Sequence, residues 1–197
     1  MYIENLKYAF KIIPPSKHAE IQFRRLFPDK TVDQIPLGVD LSIFKPLWET
    51  EAEKNKLKLE LGFKDTDAFL VTLLGDIKYF RKSWAENLEA LNIFRDNNPD
   101  VKLRIYVHTS PRPLNPIDFN IQALLVKLGL ADISRMVEPT SYFMGIPASD
   151  IAKIYNASDV YLMASRGEGF GLCYLEAAAC GTPSIGTDFT SMPEVIL

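Results

Sequence analysis

No run of about 18 apolar residues occurs anywhere in the 197 residues, so the sequence offers no helix that would span a bilayer. The opening "MYIENLKYAFKIIPPS" has neither the continuous apolar stretch nor the small-residue cleavage site of a secretory leader. These two absences predict a cytoplasmic protein, with peripheral attachment at the inner membrane surface left open. A basic excess is missing as well. Lys and Arg number 22 against 25 Asp and Glu, a formal charge of -3, which argues against nucleic acid as a partner. The two histidines, His18 and His108, carry no ligand spacing, so no metal site is expected. The two cysteines, Cys173 and Cys180, lie seven residues apart. On one helix that spacing separates their Cα atoms by roughly 10 Å, beyond the about 7 Å a disulfide tolerates. Two reduced, small, buried thiols are expected.

What the chain does have is a composition able to fold. A 47% hydrophobic content with 24% charged residues belongs to a globular protein, and the length suffices for one core or for one domain plus part of another. Apolar runs alternate with helical periodicity. "AFLVTLLG" (Ala68 to Gly75) reads as a buried strand. "SWAENLEALNIFRDNNP" places Trp84, Leu88, Leu91 and Phe94 on one helical face and stops at Asn-Asn-Pro. "VKLRIYVHTS" alternates Val101, Leu103, Ile105 and Val107 as a second strand. "FNIQALLVKLGLAD" predicts a helix ending near Gly129. "ASDIAKIYNASD" predicts another, capped by Ser149, with Ile151, Ile154 and Tyr155 inward. "VYLMAS" and "PSIGT" complete the strands. Strands separated by helices of about 10 to 15 residues predict a doubly wound α/β domain with a Rossmann-like parallel sheet. Ligands of such sheets lie beyond the carboxyl ends of the strands.

The first forty residues offer two short strands around a basic amphipathic helix near Ala19 to Leu26, too little for a core of their own. A boundary is therefore expected near Asp40, separating 1–40 from a main domain over 41–197. "EAEKNKLKLELGF" is expected to open that domain as a charged, mostly solvated helix.

The richest stretch is "SRGEGFGLCYLEAAACGTP", Ser165 to Pro183. If Gly169 to Leu172 form a helix's first turn, its free amides and the helix dipole favour an anion, most simply a phosphate. Leu172, Leu175 and Ala179 would then face the sheet, and Gly181 would end the helix as its C′ residue. Glu168 and Glu176 are eight residues apart, roughly 12 Å if wholly helical. That span suits an extended ligand with an anion in the middle and hydroxyls at both ends, as in a nucleoside diphosphate sugar. Each carboxylate can accept two charge-assisted hydrogen bonds from a diol. The same two residues also fit a plainer role, as a helix-start acid and a surface glutamate.

The neighbouring residues add a resemblance. "SDVYLMASRGEGFGLCYLEAAACGTPSIGTDFTSMPEV" resembles the donor-binding region of GT-B glycosyltransferases of family GT4, whose glutamate–seven residues–glutamate motif Glu168 and Glu176 would fill. "FMGIPASDIAKIYNASD" is similar to the segment before that motif. "IPLGVDLSIFKP" resembles the hinge into the C-terminal domain, and "LLGDIKYFRKSW" the glycine loop with its phosphate-binding lysine. The resemblance covers about Pro14 to Val195. It implies a retaining transferase that uses a nucleoside diphosphate sugar as donor, with no metal or other cofactor. Glu176 would hold ribose hydroxyls. The amides of Phe170, Gly171 and Leu172 would meet the diphosphate and the sugar, and Glu168 the transferred sugar. Lys82 and Arg81 would neutralise the departing diphosphate, and Gly75 would allow close backbone approach. The catalytic pair that the resemblance implies is Glu168 and Lys82.

Three features depart from the family's pattern. Asp76 stands where many members carry arginine, one extra residue precedes Arg81 and Lys82, and Leu37 replaces a usual asparagine. "HTSPRPLNP" (His108 to Pro116) resembles nothing in the family. His108 reads first as a strand-end histidine and second as a wall of a base pocket, with the base otherwise met by backbone around Phe143 to Pro147. The family's N-terminal domain binds the acceptor, a glycan or lipid. This chain is expected to begin in the last βα unit of that domain and to stop before the final elements of its own. On that expectation it has negligible transferase activity alone. A nucleotide-sugar-binding scaffold without transfer is the non-enzymatic alternative. A nicotinamide-dependent oxidoreductase fits poorly, because "GEGFGL" is G-x-G-x-G and not G-x-G-x-x-G.

Overall fold

The computed structural model describes residues 3–77, 80–113 and 120–196. It opens with a 3-10 helix, Ile3–Tyr8, followed by strand β1 (Lys11–Ile12), helix α1 (Lys17–Leu26) and strand β2 (Thr31–Val32). The two strands pair in parallel as a separate sheet. Ser16 caps α1 by accepting from the Ala19 amide at 3.2 Å. The main unit follows as α2 (Glu51–Glu60), β3 (Phe69–Leu74), α3 (Trp84–Asn97), β4 (Leu103–His108), α4 (Ile121–Lys127) and β5 (Ser134–Met136). It continues with α5 (Pro139–Met144), α6 (Ala148–Ala157), β6 (Val160–Leu162), α7 (Leu172–Ala179), β7 (Ser184–Ile185) and α8 (Met192–Val195).

Five strands form one sheet in the order β5-β4-β3-β6-β7, and every pairing is parallel. The chain builds outward from β3 through β4 to β5, then returns to β3's other side to lay down β6 and β7. The order therefore reverses between β3 and β6, and the loops leaving those two strands diverge to opposite faces and open a crevice. The expected doubly wound sheet is the one observed. Its main core unites Val71, Leu73, Trp84, Leu88, Ile105, Tyr155, Tyr161 and Tyr174, all buried. A smaller cluster of Phe63, Leu70, Tyr106, Ile154 and Ala157 lies under α2 and α6.

Several local expectations need correction. Helix α2 is mostly solvated, as expected, except that Lys54 and Lys58 are buried and both reach Asp159, at 2.5 and 2.9 Å. The carboxylate also accepts from the Leu70 amide at 2.8 Å, so it joins the helix to the start of β3. Ser149 lies inside α6, whose N-cap is Pro147. Val101 is exposed because β4 starts only at Leu103, and Phe94, though beside Leu91 in an apolar cavity against the sheet, is left partly open. Strand β5 and helix α5 carry no apolar periodicity and were not foreseen. Part of the "HTSPRPLNP" run, from Leu114 to Pro116, lies outside the described residues, as does Phe119 before α4. Cys173 and Cys180 are free thiols, as expected.

The first and last segments touch. Glu194 of α8 accepts from the amides of Lys17 and His18, both at 2.8 Å, one oxygen for each. A carboxylate on the open N–H groups of a helix's first turn satisfies two donors and meets the positive end of the dipole. Among the described residues no helix is long and apolar enough to cross a membrane.

Candidate functional site

Strand β3 ends at Leu74, and Gly75 begins the loop, its amide donating to the His108 carbonyl of the neighbouring strand at 3.1 Å. A Cβ at Gly75 would lie 3.2 Å from Cε of Lys82. The glycine therefore lets the lysine stem, not a ligand, cross close to the backbone. A 3-10 turn, Phe80–Lys82, brings the lysine back over the strand end, and Ser83 follows at φ 48°. The buried Asn87 holds this turn. Its side-chain amide donates to the carbonyls of Ser83 at 2.7 Å and Lys82 at 3.1 Å. Its oxygen accepts from the Ala164 amide at 2.8 Å, which fastens the loop after β6 to the loop after β3.

The loop after β6 carries Glu168 to this point. Lys82 Nζ meets Glu168 Oε1 at 2.7 Å, and Arg81 Nη1 meets Oε2 at 2.7 Å. Lys82 is buried and Glu168 largely so, while nearly half of the Arg81 side chain is exposed. Arg81 also donates to the Gly167 carbonyl at 3.1 Å, and its own carbonyl accepts from the Arg166 amide at 2.8 Å. Burial works to raise the Glu168 pKa, but the hydrogen bond and charge of Lys82, helped by Arg81, hold the carboxyl below the ordinary glutamate range. Lys82 is thus no solvated surface cation, and the two loops at the sheet's switch point share one ion-paired cluster.

The helix of this region begins later than its glycines suggest. Helix α7 starts at Leu172, not Gly169, because Gly171 takes a left-handed conformation (φ 100°) as its N-cap. A Cβ at Gly171 would sit 2.9 Å from the Tyr174 ring, so glycine suits both the backbone and the space. The eight-residue interval between the glutamates is therefore half loop and half helix. Among the described residues the amides of Phe170, Gly171, Leu172 and Cys173 donate no hydrogen bond. Phe170 buries its side chain in the core and offers only its backbone. The inward face of α7 is Tyr174 and Ala177, whereas Leu172 is exposed, a phase shift set by the later start. At the other end Gly181, at φ 81°, lets its amide reach the Ala178 carbonyl and that of Thr182 reach Ala177, a Schellman ending as expected.

Glu176 sits in the second turn of α7 over a row of tyrosines. Tyr155, Tyr161 and Tyr174 stack edge to face with centroids 5.6 and 5.3 Å apart. Each hydroxyl serves the site: Tyr155 donates to Glu176 at 3.1 Å, Tyr161 to the Leu74 carbonyl at 3.0 Å, and Tyr174 to the Met163 carbonyl. Burial pushes the Glu176 carboxyl up despite the Tyr155 bond. The two glutamates are thus set apart by environment. Glu168 is fixed as an anion by cations, and Glu176 is poorly solvated with one donor.

On the β4 side a cavity of about 340 Å³ is lined by Tyr106, His108, Ser141, Ile146 and Lys153, among others. It includes one residue of the segment 143–147 expected to meet a base. His108 is both a strand-end residue and a wall of this cavity, beside the Gly75 amide. Asp76 is felt by Tyr142 of α5, whose hydroxyl is held protonated to higher pH first by burial and then by that charge. Lys78 and Tyr79 lie outside the described residues, so the consequence of the extra loop residue does too. Among the described residues no three His, Cys, Asp or Glu side chains gather as a metal site. Sequence reasoning missed Asn87, because its link between the two loops runs to the Ala164 amide 77 residues away.

The parallel sheet with this strand order has the fold of the C-terminal, Rossmann-like domains of GT-B glycosyltransferases. The chain belongs to the family described as glycosyl transferases group 1, whose profile matches residues 68–197. A D-inositol 3-phosphate glycosyltransferase of Paenarthrobacter aurescens is 30% identical over 165 residues, covering 84% of this chain and 37% of that protein. The chain thus spans little more than a third of that relative's length. Among solved structures, sucrose-phosphate synthase from Thermosynechococcus elongatus aligns with a TM-score of 0.77 at 23% identity, over 95% of this chain and 43% of its own. The catalytic domain of starch synthase IV from Arabidopsis thaliana, solved with ADP and acarbose, aligns at 0.67 and 14% identity, over 96% and 42%. At such identities the two structures establish the shared fold.

Proposed function

We propose that this chain carries the nucleotide-sugar half of a retaining glycosyltransferase of the GT4 type. In this reading 41–197 hold the donor. Residues 1–40 belong to the end of a domain that presents the acceptor, a glycan or lipid. The observation that carries it is the convergence of Lys82, Arg81 and Glu168 on the switch point, beside unbonded amides from Phe170 to Cys173. Breaking a sugar–phosphate bond builds negative charge on a diphosphate oxygen. Fixed cations and aligned amides stabilise that charge more in the transition state than in the ground state. Lys82 has this role with no cofactor invoked, and Arg81 supports it from the rim. In this reading Glu168 contacts the sugar. Glu176, with its unused lone pairs, accepts from the ribose hydroxyls. Gly75 supplies the room in which Lys82 crosses the strand end. The cavity beside His108 suits the base.

A thermal-shift panel of UDP-, GDP- and ADP-sugars tests this reading. Binding at a hundredfold excess over Kd stabilises by about 2.7 kcal/mol, which corresponds to roughly 5–10 °C for a chain of this size. One nucleotide class is expected to give such a shift, and Glu176→Ala to abolish it. A shift that survives this substitution unchanged would sink the ribose assignment, and no shift with any donor would sink the donor-site reading.

A further inference from the structure

Glu168 is held twice. Its carboxylate meets Lys82 and Arg81, and its backbone meets two hydroxyls from the segment after β7. The Glu168 amide donates to Thr190 Oγ1 at 3.1 Å, and Ser191 Oγ donates to the Glu168 carbonyl at 2.9 Å. Thr190 Oγ1 itself donates to the Phe189 carbonyl at 2.8 Å, which leaves its lone pairs for the Glu168 amide. Ser191 is fully buried. Thr190 lies at φ 56°, a left-handed conformation that a β-branched residue seldom adopts. Among the described residues the other non-glycine at positive φ is Ser83, immediately after Lys82. The two strained positions thus stand at the two ends of one ion pair, where strain is maintained by surrounding bonds.

We propose that Thr190, together with Ser191, is a positioning residue that fixes the Glu168 backbone independently of its cations. The role rests on the donor-site reading above. A diphosphate draws on Lys82 and Arg81, the same charges that hold the Glu168 carboxylate in this structure. A glutamate secured only by those cations would lose its placement as they turned to the phosphates. One secured through both its amide and its carbonyl keeps its place and can accept from the sugar hydroxyls. The threonine methyl lies against Gly167, 3.6 Å from where a Cβ would stand. The side chain therefore packs on the loop as well as bonding to it.

The test uses Thr190→Val, Thr190→Ser and Ser191→Ala in the 197-residue chain. Without added nucleotide, amide exchange at Glu168, read by NMR, is expected to rise about tenfold in Thr190→Val. In Thr190→Ser, which keeps the hydroxyl, it should stay near wild type. Titration calorimetry then compares a nucleotide sugar with its own nucleoside diphosphate. Thr190→Val should weaken the sugar nucleotide about fivefold, the scale of one hydrogen bond, and leave the diphosphate within about twofold. Thr190→Ser should restore both. Ser191→Ala, which leaves the strained residue untouched, should show the same selective loss and serves if Thr190→Val fails to fold. Equal weakening of both ligands, or no weakening of either, overturns the positioning role while wild-type binding still upholds the donor site. A wild-type chain that binds no nucleotide sugar overturns the donor reading and this role with it.

Discussion

Burial keeps His108 neutral far below the usual imidazole range, its pKa pushed down from 6.5 to about 4, and among the described residues its Nδ1 has no hydrogen-bond partner. An unfolded chain takes up that proton first as the pH falls. The stability tied to the neutral ring is therefore whole above pH 6.5 and is lost progressively down to about pH 4. Urea denaturation at pH 7 and 4.5 should show wild type losing about 2 kcal/mol more than His108→Leu over this interval. Equal losses would mean that the ring protonates in the folded state without penalty. Of the candidate site, Lys82, Glu168 and Glu176 could be singled out through the motifs that carry the family resemblance, and their roles remain those of the proposal. Asn87, Thr190 and Ser191 could not be singled out. They act on backbone groups up to 77 residues away, and nothing in composition marks a threonine that will take a left-handed turn.

At the scale of elements, one acid gathers the buried charges that tie α2 to the sheet. Asp159 receives Lys54, Lys58 and the Leu70 amide of β3, and these bonds keep its carboxyl below the ordinary range although burial alone would raise it. Asp159→Asn removes the charge and leaves two buried ammonium groups facing a neutral amide. Removing one partner of a buried pair costs about 3 kcal/mol or more. Chemical denaturation of this variant should show a loss of that size, and a change below about 0.5 kcal/mol would show that water already serves the lysines. Sequence periodicity marked α2 as a helix but could not reveal this, since the acid lies about a hundred residues downstream. The long strands were readable, β3 from its continuous apolar run and β4 from its apolar alternation. Strand β5, three residues with serine and arginine among them, gave no such signal, and the start of α7 was misplaced because Gly171 interrupts the helical phase.

For the whole molecule, the rule that parallel strands need covered crossovers led from the sequence to the right class of sheet, and the crevice followed from the strand order. Contacts between the ends of the chain were beyond any local pattern. Glu194 reaches Lys17 across 177 residues of sequence, so this contact closes a very long loop. Closure entropy grows only slowly with length, yet it must be met before the contact contributes anything. Contacts of this range form late. The grip of α8 on α1 should therefore be among the last parts of the molecule to assemble and the first to come apart. Glu194→Ala should speed amide exchange at Lys17 and His18 and leave β3 untouched. If β3 loosened as well, the early residues would be part of the cooperative core and not a latecomer to it.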